Sequence, residues 1–246
     1  MRTGSLPVSC QRAVISLLPK KGDLALLKNW RPVALLCTDY KVLSKALANR
    51  LKNVLEMIVH RDQAYCVPDR TIMDNIFLIR DAIDLCKKYD FDCGIVSLDQ
   101  EKAFDRVDHS YLFATLRAFG LGDGFLAWLG LLYNGAQCLI KMGTGLRRPI
   151  PVQRGIRQGC PISGQLYSLA IEPMLCRLRG KISGLSLPGL PDPDLSLTVS
   201  AYADDLNVFV SNQQDISNLQ ETLSLYAKAS SARVNWEKRE ALLVGK

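Results

Sequence analysis

Apolar side chains recur along this chain with two periods, and the switches between them divide it into elements. Ala13–Leu18 is a short apolar run that stops at Pro19, Lys20, Lys21 and Gly22, which reads as a strand and its turn. "NWRPVALL" (Asn29–Leu36) follows, with Pro32 imposing extended backbone on Arg31. From Tyr40 to His60 the period lengthens to that of a helix. Leu43, Leu47, Leu51, Leu55 and Ile58 form an apolar stripe, and Lys41, Lys45 and Lys52 line another face. A second helix is predicted from about Thr71 to Tyr89, with Ile72, Ile76, Ile79 and Ile83 on one side and Thr71 and Asp74 placed as a capping box. "GIVSLD" (Gly94–Asp99) is a short strand that ends in a carboxylate.

Two helices are predicted next, about Ser110–Phe119 and Gly124–Tyr133, and then the strand-like "QCLIKM" (Gln137–Met142) and "LRRPIPVQ" (Leu146–Gln153). A Gly-rich basic loop (Arg154–Gly164) feeds a helix over about Gln165–Arg179. The Pro/Gly-rich Leu187–Asp194 reads as a loop. After it come a hairpin around Asp204 and Asp205, a helix over about Ile216–Ser230 and the closing "RVNWEKREALLVGK". Hairpins mixed with helical crossovers predict an α+β fold with a mainly antiparallel sheet.

At 246 residues, 48% hydrophobic and 22% charged, the chain can build one large domain or two intimately connected ones. Its longest apolar stretch, Phe125–Tyr133, is too short to span a bilayer, so no membrane role is expected. Eight scattered cysteines without a C-x-x-C pair, and only two histidines, argue against a zinc site. The absence of an export signal predicts reduced cysteines and an intracellular location, nuclear or cytoplasmic. Charge changes the picture more. Residues 1–50 hold nine Lys/Arg and two acids, so the whole net charge of +7 sits at one end, which suits a polyanionic partner.

"AYADDLNVFV" (Ala201–Val210) places Asp204 and Asp205 side by side between two apolar runs. Aspartate is common in turns because it caps its own backbone, and this bland reading suffices for the pair alone. Asp99 ends a separate apolar strand. If that strand lies beside the hairpin, three carboxylates converge, and a divalent cation with oxygen ligands resolves their repulsion. Two such ions would serve in-line phosphoryl displacement. Lys20, Lys21 and Arg31 near turn signals, and Arg154, Arg157, Gln158 and Gly159 in the Gly-rich loop, are candidate phosphate and nucleic-acid contacts. Asp105 is expected to orient its local turn rather than bind metal.

The blocks "ISLLPKKGD", "NWRPVALLCTDYKVLSKALANRL", "DQAYCVPDRTIMDNIFLIRD", "SLDQEKAFDRVDH", "RGIRQGCPISGQLYSLAIEPML", "YADD" and "ARVNWEKRE" occur in this order. Together they resemble the reverse transcriptase of non-LTR retrotransposons of the long interspersed element type. The resemblance implies a right-hand polymerase fold with fingers (mostly 1–93 and 135–160) and palm (mostly 94–134 and 161–246). It implies an RNA-directed DNA polymerase that uses magnesium, or manganese in its place. RNA template, DNA primer and deoxynucleoside triphosphates would be its partners.

Position by position, Asp99, Asp204 and Asp205 match the catalytic carboxylates, with main-chain Gln100 facing a metal. Lys20, Lys21 and Arg31 match the triphosphate grip, Phe104 the residue that excludes a 2′-hydroxyl, and Gln158 and Gly159 the nucleotide loop. Lys238 matches a basic residue near the pyrophosphate, and Lys41, Lys45, Arg154 and Arg157 would meet nucleic-acid backbone. Asp69 stands where many relatives have Gly, and "SSARVN" replaces the usual Ser-Gly-Leu-Lys-Ile-Asn. The chain stops about where a thumb would begin. A catalytically inactive remnant that only binds RNA is therefore the alternative.

Overall fold

The computed structural model describes residues 4–143, 145–186 and 196–245. The predicted loop Leu187–Asp194 lies outside the described residues. In chain order the elements are α1 (Val8–Gln11), β1 (Arg12–Pro19), β2 (Trp30–Leu35), α2 (Thr38–Ile58), α3 (Ile72–Tyr89), β3 (Cys93–Leu98), α4 (Ala103–Arg106), α5 (His109–Ala118) and α6 (Asp123–Tyr133). They continue with β4 (Gln137–Met142), β5 (Gly145–Leu146), β6 (Ile150–Pro151), α7 (Ser163–Lys181), β7 (Leu185–Ser186), β8 (Ser196–Leu197), β9 (Val199–Tyr202), β10 (Asp205–Val210), α8 (Gln213–Ser230) and β11 (Glu240–Val244).

Two main sheets result. The N-terminal sheet has the order β2-β1-β4-β5, with β6 also on β4. Its β1–β2 hairpin pairs Leu18 with Arg31 and Pro19 with Trp30. Pro32 is tolerated because β2 is an edge strand. Only β1–β4 pairs in parallel. The second sheet has the order β11-β3-β10-β9 and is wholly antiparallel.

Alternation sorts the second sheet's two faces. Leu98, Leu206 and Val208 join the main core, where α7 contributes Leu166, Leu169, Ile171 and Leu175. Ile95 and Phe209 join a smaller core with Ala82 and Cys86 of α3. α7 is buried round most of its circumference, with Ser163, Ser168 and Glu172 inside together with its apolar residues. α2 buries the expected Leu47, Leu51 and Leu55 and leaves Lys41, Lys45 and Lys52 exposed.

Three expectations are corrected. The stripe on α3 does not enter the core intact. Ile72 and Ile76 are exposed, and Asn75 between them is buried, donating to Ser200 Oγ at 2.7 Å and the Ala201 carbonyl at 3.2 Å. "LRRPIPVQ" yields only two-residue strands flanking Pro149, since prolines withhold ladder donors. The short helices α1 and α4, which carry too few residues for a period, were not expected. Asp69 and Ser231, the departures noted above, both have left-handed backbone (φ 57° and 64°), which explains why Gly is usual there. The eight cysteines are free thiols. Among the described residues, no helix is long and apolar enough to cross a membrane.

Candidate active site

The register of two strands builds the site. β3 and β10 are antiparallel with Leu98 opposite Leu206, so the next step along each strand brings Asp99 and Asp205 level at the sheet end. β9 and β10 are joined by a two-residue turn, Ala203–Asp204, with Tyr202 paired to Asp205. Ala203 has φ 55°, a strained value for a residue with a Cβ, and it sets Asp204 at the hairpin tip.

The three carboxylates feel one another. Partial desolvation first, then the charges of Asp204 and Asp99, raise the Asp205 pKa, and Lys238 opposes them. Asp99 Oδ2 accepts from Lys238 Nζ at 3.0 Å and Asn235 Nδ2 at 3.1 Å. Asn235 N also donates to the Asp99 carbonyl at 2.8 Å, and Glu101 N to the Arg233 carbonyl at 2.8 Å. This ladder brackets the Gln100–Val234 bridge and does not use the Gln100 carbonyl.

The donor set is all oxygen, which suits magnesium. Among the described residues no three His, Cys, Asp or Glu side chains close around one metal position. The carboxylates are electrostatic neighbours, and Asp99 would exchange Lys238 for an ion.

Beyond the carboxylates, Phe104 stacks on Tyr167 with ring centroids 4.4 Å apart, and Tyr65 meets the edges of both Phe104 (6.2 Å) and Tyr202 (5.3 Å). Phe104 is thus held on two sides by rings. Gln158 Nε2 donates to Asp105 Oδ1 at 3.1 Å. Burial raises the Asp105 pKa against that hydrogen bond and the charges of Lys102 and Lys20, which also places Lys20 within electrostatic reach of the Gln158 loop.

Gly159 (φ 92°) passes so close to the Ala34 carbonyl that a Cβ would sit 2.9 Å from it, so its need for Gly is met by packing within the chain. Lys20, Lys21 and Arg31 are exposed at the loop end of the β1–β2 hairpin, with no ion pair among the described residues. Arg154, Lys41 and Lys45 are exposed as well. Arg157 departs from expectation. It is buried, it donates to the Gln11 carbonyl at 3.0 Å, and it lies over the Tyr40 ring at 5.1 Å. It braces the loop from inside and cannot present its charge to a strand outside.

Residues 18–244 match the family described as reverse transcriptase (RNA-dependent DNA polymerase). This chain belongs to the reverse transcriptase family. It is 53% identical over 244 residues to the transposon TX1 uncharacterized 149 kDa protein of Xenopus laevis, covering 99% of this chain and 18% of that one. A retrovirus-related Pol polyprotein from a type-1 R2 retrotransposable element of Popillia japonica is 28% identical, over 98% of this chain and 33% of the relative. The chain therefore spans a third or less of these relatives. Among solved structures, telomerase of Candida tropicalis in complex with a TWJ fragment of telomeric RNA superposes with TM-score 0.69 at 15% identity, over 97% of this chain and 42% of that one. That likeness is one of fold, the polymerase fold.

Within the reverse transcriptase framework, sequence reading passed over three residues, Asn235, Tyr65 and Tyr167, and expected Asp105 only to orient its local turn. Asn235 steadies Asp99, Asp105 orients Gln158, and Tyr65 with Tyr167 supports Phe104. All four sit in the quoted blocks, and Asn235 could have been flagged as a polar residue beside a site. Tyr65 could not, because long-range contacts bring its loop to the site, among them the Gln63–Ala201 bridge and the hydrogen bond from Ser168 Oγ to the Tyr65 carbonyl.

Proposed function

We propose that this chain is the fingers-and-palm core of an RNA-directed DNA polymerase that adds deoxynucleotides to a primer 3′-hydroxyl on an RNA template, as in retrotransposition. One observation carries the reading: the β3–β10 register sets Asp99 level with Asp205 beside the strained hairpin tip of Asp204. Asp99, Asp204, Asp205 and the Gln100 carbonyl would hold two magnesium ions, or manganese in their place, which when bound supply positive charge to phosphate oxygens. Lys20, Lys21 and Arg31 would grip the triphosphate, since they are exposed cations with no ion pair among the described residues. Phe104, braced by Tyr65 and Tyr167, would exclude a 2′-hydroxyl by occupying its volume.

Gln158, fixed by Asp105, would meet the nucleotide while Gly159 keeps the loop close to β2. Lys238 holds Asp99 and lies where a leaving pyrophosphate would need a proton or a counter-charge. Lys41, Lys45 and Arg154 would follow nucleic-acid backbone. The fingers segments 1–93 and 135–160 contain the N-terminal sheet, and the palm segments 94–134 and 161–246 contain the carboxylate sheet. α3 is placed with the fingers by number and packs on palm strands β9 and β11. The working compartment, nucleus or cytoplasm, follows from the template.

A second reading has its own observation. Asp99 is occupied by Lys238 and Asn235, and no three ligating side chains close on one point among the described residues. A domain that binds RNA without extending a primer would look the same. An RNA template with an annealed DNA primer, deoxynucleotides and magnesium separates the two. Extension by the wild type and not by Asp204→Asn supports the polymerase. Equal RNA binding by both proteins, with extension by neither, supports the remnant.

A further inference from the structure

A cavity of about 390 Å³ opens where α4, the head of the Arg154 loop and the C-terminal half of α8 meet. Its lining includes Arg106, Arg154, Ser224, Lys228, Ser231 and Arg233. Four cations from three separate stretches of chain thus face one space. Residues 51–246 are net neutral, so nothing in the charge distribution along the sequence foretells this concentration.

Among the described residues, Arg154, Lys228 and Arg233 make no ion pair. Arg106 has one, Nη2 to Glu101 Oε1 at 2.7 Å, while its buried Nε has no hydrogen-bond partner. The C-terminal dipole of α8 accounts for a lysine at 228. It does not account for arginines brought in from α4 and from the loop after β6. Like charges gathered without internal partners are stable when an external anion joins them.

We infer that this cavity binds the phosphodiester backbone of the RNA template. Guanidinium forks and two serine hydroxyls are the donors that phosphate oxygens accept from. Among the described residues that line the cavity none is aromatic, so it offers no surface for base stacking and grips backbone only. Arg106 is two residues from Phe104 in α4 and Arg154 is four residues from Gln158, so the segments that line the cavity also carry the residues of the nucleotide loop. The choice of RNA rests on the polymerase reading; the convergence of cations does not.

The test is fluorescence anisotropy of a short fluorescein-labelled single-stranded RNA of mixed sequence, bound to the full chain across a salt series. For Lys228→Gln/Arg233→Gln, the slope of log affinity against log salt should shrink by about 1.4, from two phosphate contacts at about 0.7 each. Arg154→Gln, on the facing wall, should remove about 0.7 more. Asp204→Asn should keep the wild-type slope, so a failed polymerase reading and a failed cavity give different results. An unchanged slope in the double variant overturns the inference. So does displacement of the RNA by polyglutamate as readily as by polyuridylate at equal charge, which would mark an acidic protein segment as the occupant. A changed unfolding midpoint in the double variant moves the decision to Arg154→Gln alone, where an unchanged slope again overturns it.

Discussion

The two main sheets are built from similar short strands and are treated in opposite ways. In the carboxylate sheet, β10 buries Leu206, Val208, Phe209 and Val210, and both faces carry helices. In the N-terminal sheet, β1 buries only Ala13, and Leu18, Leu35, Met142 and Leu146 stay exposed. The buried sheet fixes acidic side chains that would otherwise repel each other. The open sheet presents Lys20, Lys21 and Arg31, which make no ion pair among the described residues. Placement of like charges needs a rigid frame, because their repulsion grows as water is removed. A grip on a leaving and returning triphosphate needs groups that are free to be satisfied by the ligand.

The largest break in this contrast comes from the buried side. Arg179 bridges Asp62 (2.7 and 2.8 Å) and Glu172 (2.8 Å), joining α7 to the loop that carries Tyr65. Burial pushes Asp62 upward, and the Arg179 and His60 hydrogen bonds outweigh it, so its pKa is lowered. Burial raises that of Glu172. Arg179→Ala leaves the buried Glu172 without a charged partner and Asp62 with His60 alone, and should cost about 3–5 kcal/mol. The thermal midpoint should fall by roughly 6–20 °C in circular dichroism. Arg31→Ala on the open sheet should stay within about 0.5 kcal/mol of wild type. Equal losses at the two sites would erase the distinction between the sheets.

The next effects are functional and spare stability. Lys20→Ala removes a charge-assisted phosphate contact and should raise the KM for deoxynucleotides about 10- to 100-fold with the unfolding midpoint unchanged. Asp105→Ala frees Gln158 and should raise the same KM roughly 3- to 10-fold, the size of one hydrogen bond. Steady-state primer extension reads both. A Lys20 effect no larger than that of Asp105 would mean that the open sheet is not the triphosphate grip.

Legibility in the sequence follows the same division. Helices with long periods were read nearly to their ends: α2 from the Leu47–Leu51–Leu55 stripe, α5 to within one residue at each end, and α8 to within three residues at its start. The aspartates were legible because each ends or interrupts an apolar strand. Arg157 misled because a basic Gly-rich loop looks like surface, whereas the fold turns this guanidinium inward onto Tyr40. Ile72 and Ile76 misled because periodicity reports a face and not what covers it. The Phe104–Tyr65–Tyr167 cluster joins three distant segments, and no local pattern encodes such a meeting.

Smaller effects test the electrostatic half of the contrast. The folded-state pKa of Asp205 is raised, so the folded protein binds this proton more tightly than the unfolded chain does. The side chain's unfavourable contribution is absent below the ordinary carboxylate pKa, grows as pH rises through the raised value, and is complete above it. Asp205→Asn should therefore stabilise at neutral pH, by no more than about 1 kcal/mol for so exposed a group, and the gain should vanish in acid. A variant less stable at neutral pH would show that Asp205 is held by favourable contacts.

The smallest effect separates strain that serves the site from strain that does not. Ser231 and Ala203 both have positive φ, 64° and 55°. Ser231 follows the last turn of α8, where a left-handed residue ends a helix and Gly is the unstrained choice. Ser231→Gly should stabilise by about 0.5 kcal/mol, the relief of left-handed strain less the entropy of a freer unfolded chain, and primer extension at saturating template should not change. Ala203→Gly relieves similar strain at the hairpin, and it also removes the Cβ that limits the angles at which Asp204 can stand. Its midpoint should rise by a similar amount while extension falls. If extension survives Ala203→Gly intact, the hairpin strain contributes nothing to placing Asp204, and the buried sheet alone orders the carboxylates.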